Sequence, residues 1–315
     1  MKTVLIDCDP GIDDAAALLL ALGRSDISLV AITTVSGNLT ADRCAANALR
    51  LLALVGRSDV PVASGEMAPL SRPFPRDPFS HGADGLGDQM LPDPSLAMDP
   101  RSAARMIVDM AARHAGALDI VALGPLTNIA LALDMDPDLP RRVGEIVMVA
   151  GAFGVTPYAW TRATGDNPVS EWNVYVDPEA AQRVFAAGFR IRAFGLDVLT
   201  GDDVALDARQ QARLAQANTP AAAFIRGTTA FVARRGFRPY CAFIDAMAMA
   251  AWLEPSVART TPLHVAVETK GEMTRGQTVV DRRENFQWTH LPLLDVATSL
   301  DARRALDMLL DAVGA

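Results

Sequence analysis

Four aspartates stand within eight residues near the start of the chain: Asp7, Asp9, Asp13 and Asp14. They follow the apolar run Val4-Leu5-Ile6 directly and span a Pro10-Gly11 turn. The pattern reads as a buried strand, a tight turn and a helix start, so the chain must carry negative charge to the end of a core element. A helix N-terminus accounts for Asp13 or Asp14, because its free N–H groups and dipole favour a carboxylate there. It does not account for Asp7 and Asp9, which share a face in extended geometry and repel the other two unless protonated or neutralised. A bound cation removes the conflict, and an all-oxygen ligand set suits Ca²⁺ or Mg²⁺ better than Zn²⁺. The form Asp7-Cys8-Asp9 also admits a phosphatase with an aspartyl nucleophile. No G-x-G-x-x-G follows the strand, which argues against a dinucleotide site.

The alternation continues downstream. Asp13 to Leu22 reads as a helix stopped by Gly23, and Ser28 to Val35 as a second strand, a βαβ opening. Helices follow over Thr40–Val55 and Arg101–Arg113, then a strand at Leu118–Leu123, a helix from Leu126 and a strand at Glu145–Val149. The expected fold is α/β, an open and mostly parallel sheet with helices on both faces. Pro69–Pro100 and Ala150–Asn173 read as long loops, and loops of that length usually serve function. Helices dominate Asp202–Glu254. Strands near His264–Glu268, Gln277–Asp281 and Leu291–Val296 precede a final helix and form an antiparallel edge, making the sheet mixed. No repeat or low-complexity tract divides the chain, so residues 1–315 are expected to form one domain.

Composition narrows the partners. The chain has 315 residues, half of them hydrophobic, and a net charge of −8. Such a chain can bury a large core but offers nothing to a polyanion or an acidic membrane surface, so a small ligand is expected and nucleic acid is not. The longest apolar runs, Ala15–Leu22 and Ala246–Leu253, are about half of what a membrane span needs. The N-terminus lacks the apolar region of a signal peptide, which predicts a soluble, cytoplasmic protein. Cys8, Cys44 and Cys241 form no CxxC pair and read as reduced thiols.

In open α/β sheets, ligands bind beyond the carboxyl ends of the strands. Reading each strand to its end gives Asp9, then Asn38, then Leu123 before Gly124-Pro125, and then the loop leading to Glu171 and Asn173. Asp245 precedes the apolar helix Ala246–Leu253, where an N-cap is the plainest role.

These residues fall into five ordered blocks: Asp7-Cys8-Asp9-Pro10-Gly11-Ile12-Asp13-Asp14, Thr33-Thr34-Val35-Ser36-Gly37-Asn38, His81-Gly82-Ala83-Asp84-Gly85-Leu86-Gly87, Gly124-Pro125-Leu126-Thr127-Asn128-Ile129-Ala130, and Ser170-Glu171-Trp172-Asn173-Val174-Tyr175-Val176-Asp177-Pro178. Over nearly its whole length the sequence resembles the inosine–uridine-preferring nucleoside hydrolase family. The resemblance implies a Rossmann-like nucleoside hydrolase fold and Ca²⁺-dependent hydrolysis of the N-glycosidic bond of ribonucleosides. It further implies that Asp9, Asp14 and Asp245 hold Ca²⁺ with the Leu123 carbonyl, and that Asp9 is also the general base. Asp13, Asn38, Glu171 and Asn173 would hold ribose hydroxyls, Asp245 would border the substrate, His81 would lie near it, and Asp7 would support the others. Related proteins are often homodimers or homotetramers. The chemistry fits: departure of the base leaves an oxocarbenium-like sugar that an acidic pocket favours, and a carboxylate must take the proton of the attacking water.

Two positions depart from the family pattern. Many members have His immediately before the Asp matched to Asp245, where it protonates the leaving base; here it is Ile244. Arg234, Arg235, Arg238 and Tyr240 are nearby candidates for that task, and Trp160 or Trp172 for stacking on the base. Members also commonly carry Asn six residues before the Glu matched to Glu171; here it is Gly165, and Asn167 is expected to substitute. The loss of the histidine supports an alternative, a nucleoside- or sugar-binding protein that keeps the Ca²⁺ site without turnover.

Overall fold

The computed structural model describes residues 1–75 and 80–315; part of the expected loop Pro69–Pro100, residues 76–79, lies outside them. The chain opens with β1 (Lys2–Cys8), α1 (Ile12–Leu22), β2 (Ile27–Thr34), α2 (Ala41–Leu54) and the short β3 (Val62–Ser64). Next come α3 (Ala103–Arg113), β4 (Leu118–Ala122), α4 (Thr127–Met135), α5 (Leu139–Arg142) and β5 (Val143–Val149). They are followed by α6 (Tyr158–Thr161), α7 (Trp172–Val176), α8 (Pro178–Ala186), β6 (Ile191–Phe194), α9 (Leu196–Leu199), α10 (Ala208–Gln216), α11 (Pro220–Arg234) and α12 (Ile244–Leu253). The chain ends with β7 (Ala258–Val267), β8 (Thr278–Val280), β9 (Leu293–Leu300) and α13 (Ala302–Ala312).

The strands form one nine-stranded sheet in the order β3-β2-β1-β4-β5-β6-β9-β7-β8. Pairing is parallel from β3 through β9, and β7 runs antiparallel to both β9 and β8. This is the expected mixed sheet with an antiparallel edge. Side chains alternate across β1: Val4, Ile6 and Cys8 enter a core with α1, α2, α11, α12 and α13, whereas Leu5 enters a second core with α3, α4 and α8. Helices therefore cover both faces. α1 is buried along its whole length, as its Ala/Leu composition on every side requires. No helix among the described residues is long and apolar enough to cross a membrane.

Several elements differ from their sequence expectation. β6 was not anticipated because Arg192 interrupts its apolar run; in the sheet its guanidinium pairs with Glu145 at 2.8 Å and donates to the Ala251 carbonyl, so the charge is buried with partners. The Ala150–Asn173 stretch contains α6 and the start of α7. α7 has a strand-like composition, Trp-Asn-Val-Tyr-Val, but Glu171 caps it by accepting the N–H groups of Asn173 and Val174. Asp245 is not an N-cap: Phe243 holds that position and Asp245 lies in the first turn of α12. Cys8 and Cys44 are buried free thiols, as expected, and Cys241 is partly exposed.

Candidate active site

The carboxyl ends of β1, β2, β4, β5 and β6 open onto a cavity of about 220 Å³. Asp9, Asp13, Asn38, Leu123, Glu171, Asn173 and Asp245 line it on the acidic side, together with His81. Ile12, Val149, Leu196, Val232, Phe237 and Ile244 supply an apolar wall, with Thr164, Trp172 and Cys241 between the two.

The acidic corner is assembled from two helix starts and one strand end. Asp14, in the first turn of α1, accepts the backbone N–H of Asp9 (3.1 Å) and of Gly11 (3.0 Å). Asn38, beyond β2, donates its backbone N–H to Asp9 Oδ2 (2.7 Å) and its side-chain amide to the Asp9 carbonyl and Asp14 Oδ2 (both 3.1 Å). Such packing depends on glycine: a Cβ on Gly37 would sit 2.0 Å from Asp9 Oδ2, and one on Gly11 2.5 Å from His81 Nδ1. Asp245 enters from α12, which packs on α1. Carboxylate oxygens of Asp13, Asp14 and Asp245 all lie within 4.8 Å of one another, and all three residues are buried.

That crowding is electrostatically unfavourable for the protein alone. Burial, and then the Asp14 carboxylate, raise the Asp9 carboxyl well above its usual range. Burial followed by Asp13, Asp14 and Asp9 do the same to Asp245, and burial with Asp13 raises Asp14 to about 6. Among the described residues, no lysine or arginine pairs with Asp9, Asp14 or Asp245. Carboxylates in this arrangement hold protons or share a cation, and a donor set of oxygens alone fits a hard divalent ion. The Leu123 carbonyl at the rim accepts from Asn173 Nδ2 (2.6 Å) and keeps a second lone pair.

The other expected residues fall as follows. Asn173 spends both amide protons on the Leu123 and Val149 carbonyls, which leaves Oδ1 to accept from a ligand. Glu171 accepts N–H groups from Asn173, Val174 and Gly151, yet burial still lifts its carboxyl to about 7. His81 Nδ1 accepts the Ile12 N–H at 3.0 Å and stands 3.7 Å from Asp13 Oδ1. The neutral ring therefore carries its proton on Nε2. Trp172 lines the cavity and stacks on Tyr175 with ring centroids 5.9 Å apart.

Three expectations are corrected. Asn167 does not reach the cavity: its oxygen accepts from Val169 and Ser170 and its amide donates to the Arg275 carbonyl, so it braces the loop. Gly165 cannot simply regain a side chain, because a Cβ there would meet Ser170 Oγ at 2.1 Å. Trp160 is 55 % exposed and, like Arg234, Arg235, Arg238 and Tyr240, is absent from the cavity wall. Asp7 is buried away from the other three aspartates, accepting from Thr33 and Asn128, which removes it as a phosphatase nucleophile. The sequence reading missed Leu196, Val232, Phe237 and Cys241. Leu196 follows the unanticipated β6, and the other three carry no polar signal.

Comparisons with known proteins identify the family. The family model described as inosine-uridine preferring nucleoside hydrolase matches residues 4–307. A pyrimidine-specific ribonucleoside hydrolase RihA from Shewanella woodyi is 39 % identical over 286 residues, covering 89 % of this chain and 88 % of that protein. A plant nucleoside hydrolase, PpNRh1, superposes with a TM-score of 0.85 at 29 % identity, covering 100 % of this chain and 99 % of its own. A purine-preferring ribonucleoside hydrolase from Gardnerella vaginalis gives 0.84 at 28 %, covering 99 % and 98 %. The chain belongs to the inosine-uridine preferring nucleoside hydrolase family, whose members cleave the N-glycosidic bond of ribonucleosides.

Proposed function

We propose that this ribonucleoside hydrolase depends on Ca²⁺ and that Asp9, Asp14, Asp245 and the Leu123 carbonyl hold the ion. The observation that carries the reading is the buried meeting of Asp9, Asp14 and Asp245 with no lysine or arginine paired to them among the described residues. When bound, the ion would fix the attacking water and the ribose diol and reduce the repulsion among the carboxylates. The remaining work falls to the chain's own groups. The Asn38 N–H holds Asp9 Oδ2, which orients the carboxylate that takes the proton from water. Asp13 and the Oδ1 of Asn173 accept hydrogen bonds from ribose hydroxyls, and Glu171 holds α7 and the end of β5 in place around the sugar. The acidic wall stabilises positive charge developing at the anomeric carbon as the base leaves.

The base lies against the apolar wall. Ile244 offers it no proton, so specificity there comes from packing, and the relative RihA makes pyrimidine ribonucleosides the first substrates to try. Ile244 also favours a second reading, a nucleoside-binding protein without turnover. Elemental analysis of the purified protein, a reducing-sugar assay on uridine, cytidine, inosine and adenosine, and Asp9→Ala test both readings together. About one calcium per chain and ribose release that Asp9→Ala abolishes are expected. Full activity after chelation or in the variant rejects the mechanism, and tight nucleoside binding with no ribose from any substrate selects the second reading.

A further inference from the structure

Thr164 and Trp172 line the cavity from the segment between β5 and α8, Cys241 and Ile244 line it from the segment between α11 and α12, and one largely buried arginine joins the two segments. Thr164 accepts the Trp172 backbone N–H at 2.8 Å, so a hydrogen bond joins these two lining residues. Two residues earlier, Arg162 places its guanidinium carbon 4.2 Å from the Tyr158 ring centroid and 5.0 Å from that of Tyr240. Its Nη1 donates to the Thr200 carbonyl, and its Nη2 donates to Asp202 at 2.7 Å. The side chain is only 11 % exposed. Tyr240 is the neighbour of Cys241, which lines the same cavity as Ile244 and Thr164.

We propose that Arg162 is a positioning residue that sets the spacing between the Thr164–Trp172 side of the cavity and the Cys241–Ile244 side, and so the affinity for the nucleoside's base. Its planar, permanently charged head can stack on a ring and donate in two directions at once, which lysine cannot do. Arg162 touches neither the acidic corner nor α1, so it acts on how the substrate is held and leaves the proton transfer at Asp9 unchanged. This inference rests on the hydrolase reading above.

The test uses the full chain with calcium and uridine, comparing the wild type with Arg162→Met, Tyr240→Ala, Tyr240→Phe and the double variant Arg162→Met/Tyr240→Ala. Arg162→Met and Tyr240→Ala are each expected to raise KM about tenfold while kcat stays within about twofold. Tyr240→Phe keeps the ring and should match the wild type. The double variant should be no worse than Arg162→Met, because Arg162→Met already removes the only contact that Tyr240→Ala is meant to break. A lower kcat with unchanged KM would mean that Arg162 serves only folding, and additive KM effects would mean that the two side chains act separately; either result overturns the proposal. Should Arg162→Met fail to fold, Tyr240→Ala carries the same comparison. Should the wild type release no ribose, the hydrolase reading fails, and the same ratios read from uridine Kd by calorimetry decide the role of Arg162 on its own.

Discussion

Asp9, Asp14, Asp245 and Glu171 all hold protons more tightly in the folded chain than in water, chiefly because they are buried. The folded state therefore binds more protons than the unfolded state above the ordinary carboxylate range, and stability must fall as pH rises from about 4 through 7. Chelator-treated protein should accordingly melt lower at about pH 8 than at about pH 5, and calcium should restore more of the loss at the higher pH; scanning calorimetry with and without EDTA checks both. An equal calcium effect at the two pH values would mean that the carboxylates do not share the ion. Glu171 allows a second experiment. Its two oxygens face three backbone N–H groups, so Glu171→Gln turns an amide donor toward at least one of them. The cost should be about 1–3 kcal/mol of stability, measured by urea denaturation, with ribose release reduced as well. Much of this corner was legible from residue types, since four aspartates so close together demand a cation or protons. The bracing role of Asn167 and the bonds of the Asn38 amide to the aspartates were not, because a side-chain amide in a loop reads the same whether it meets ligand or protein. Asn38 spends its amide on Asp9 and Asp14, and Asn167 spends its amide on the loop.

At the level of elements, periodicity exposed the βαβ opening and the antiparallel edge, because both rest on apolar spacing that local sequence carries. β3 is only three residues long, and β6 conceals a charge whose partner, Glu145, is remote in sequence. Neither could be read from its own segment. The loop after β2 shows how tightly elements meet at the site. Gly37→Ala forces the Asp9 carboxylate to move, since the added methyl would overlap Oδ2, and a displacement of about 1 Å at a reacting group costs on the order of 10²-fold. Ribose release should fall by at least that factor while circular dichroism stays native. Unchanged activity would show that Asp9 can be displaced without penalty and so is not the base.

For the molecule as a whole, two hydrophobic cores share one sheet, and α1 and α12 pack together across the site. Lys2 also donates to the carbonyls of Trp252 and Leu253 at the end of α12, tying the first strand to a late helix. Such interleaving should make unfolding a single cooperative step, with calorimetric and van't Hoff enthalpies equal; two resolved transitions would divide the chain into separate domains. The interleaving also bears on how the protein is made. Asp245 is joined to the growing polypeptide over two hundred residues after Asp14. At about 5–20 residues per second, a ribosome exposes the N-terminal aspartates for roughly 10–50 s before the last of their companions exists. A nascent or truncated chain thus carries most of the negative charge without the geometry to satisfy it, so biogenesis has to keep that unfinished corner hydrated or protonated until α12 docks.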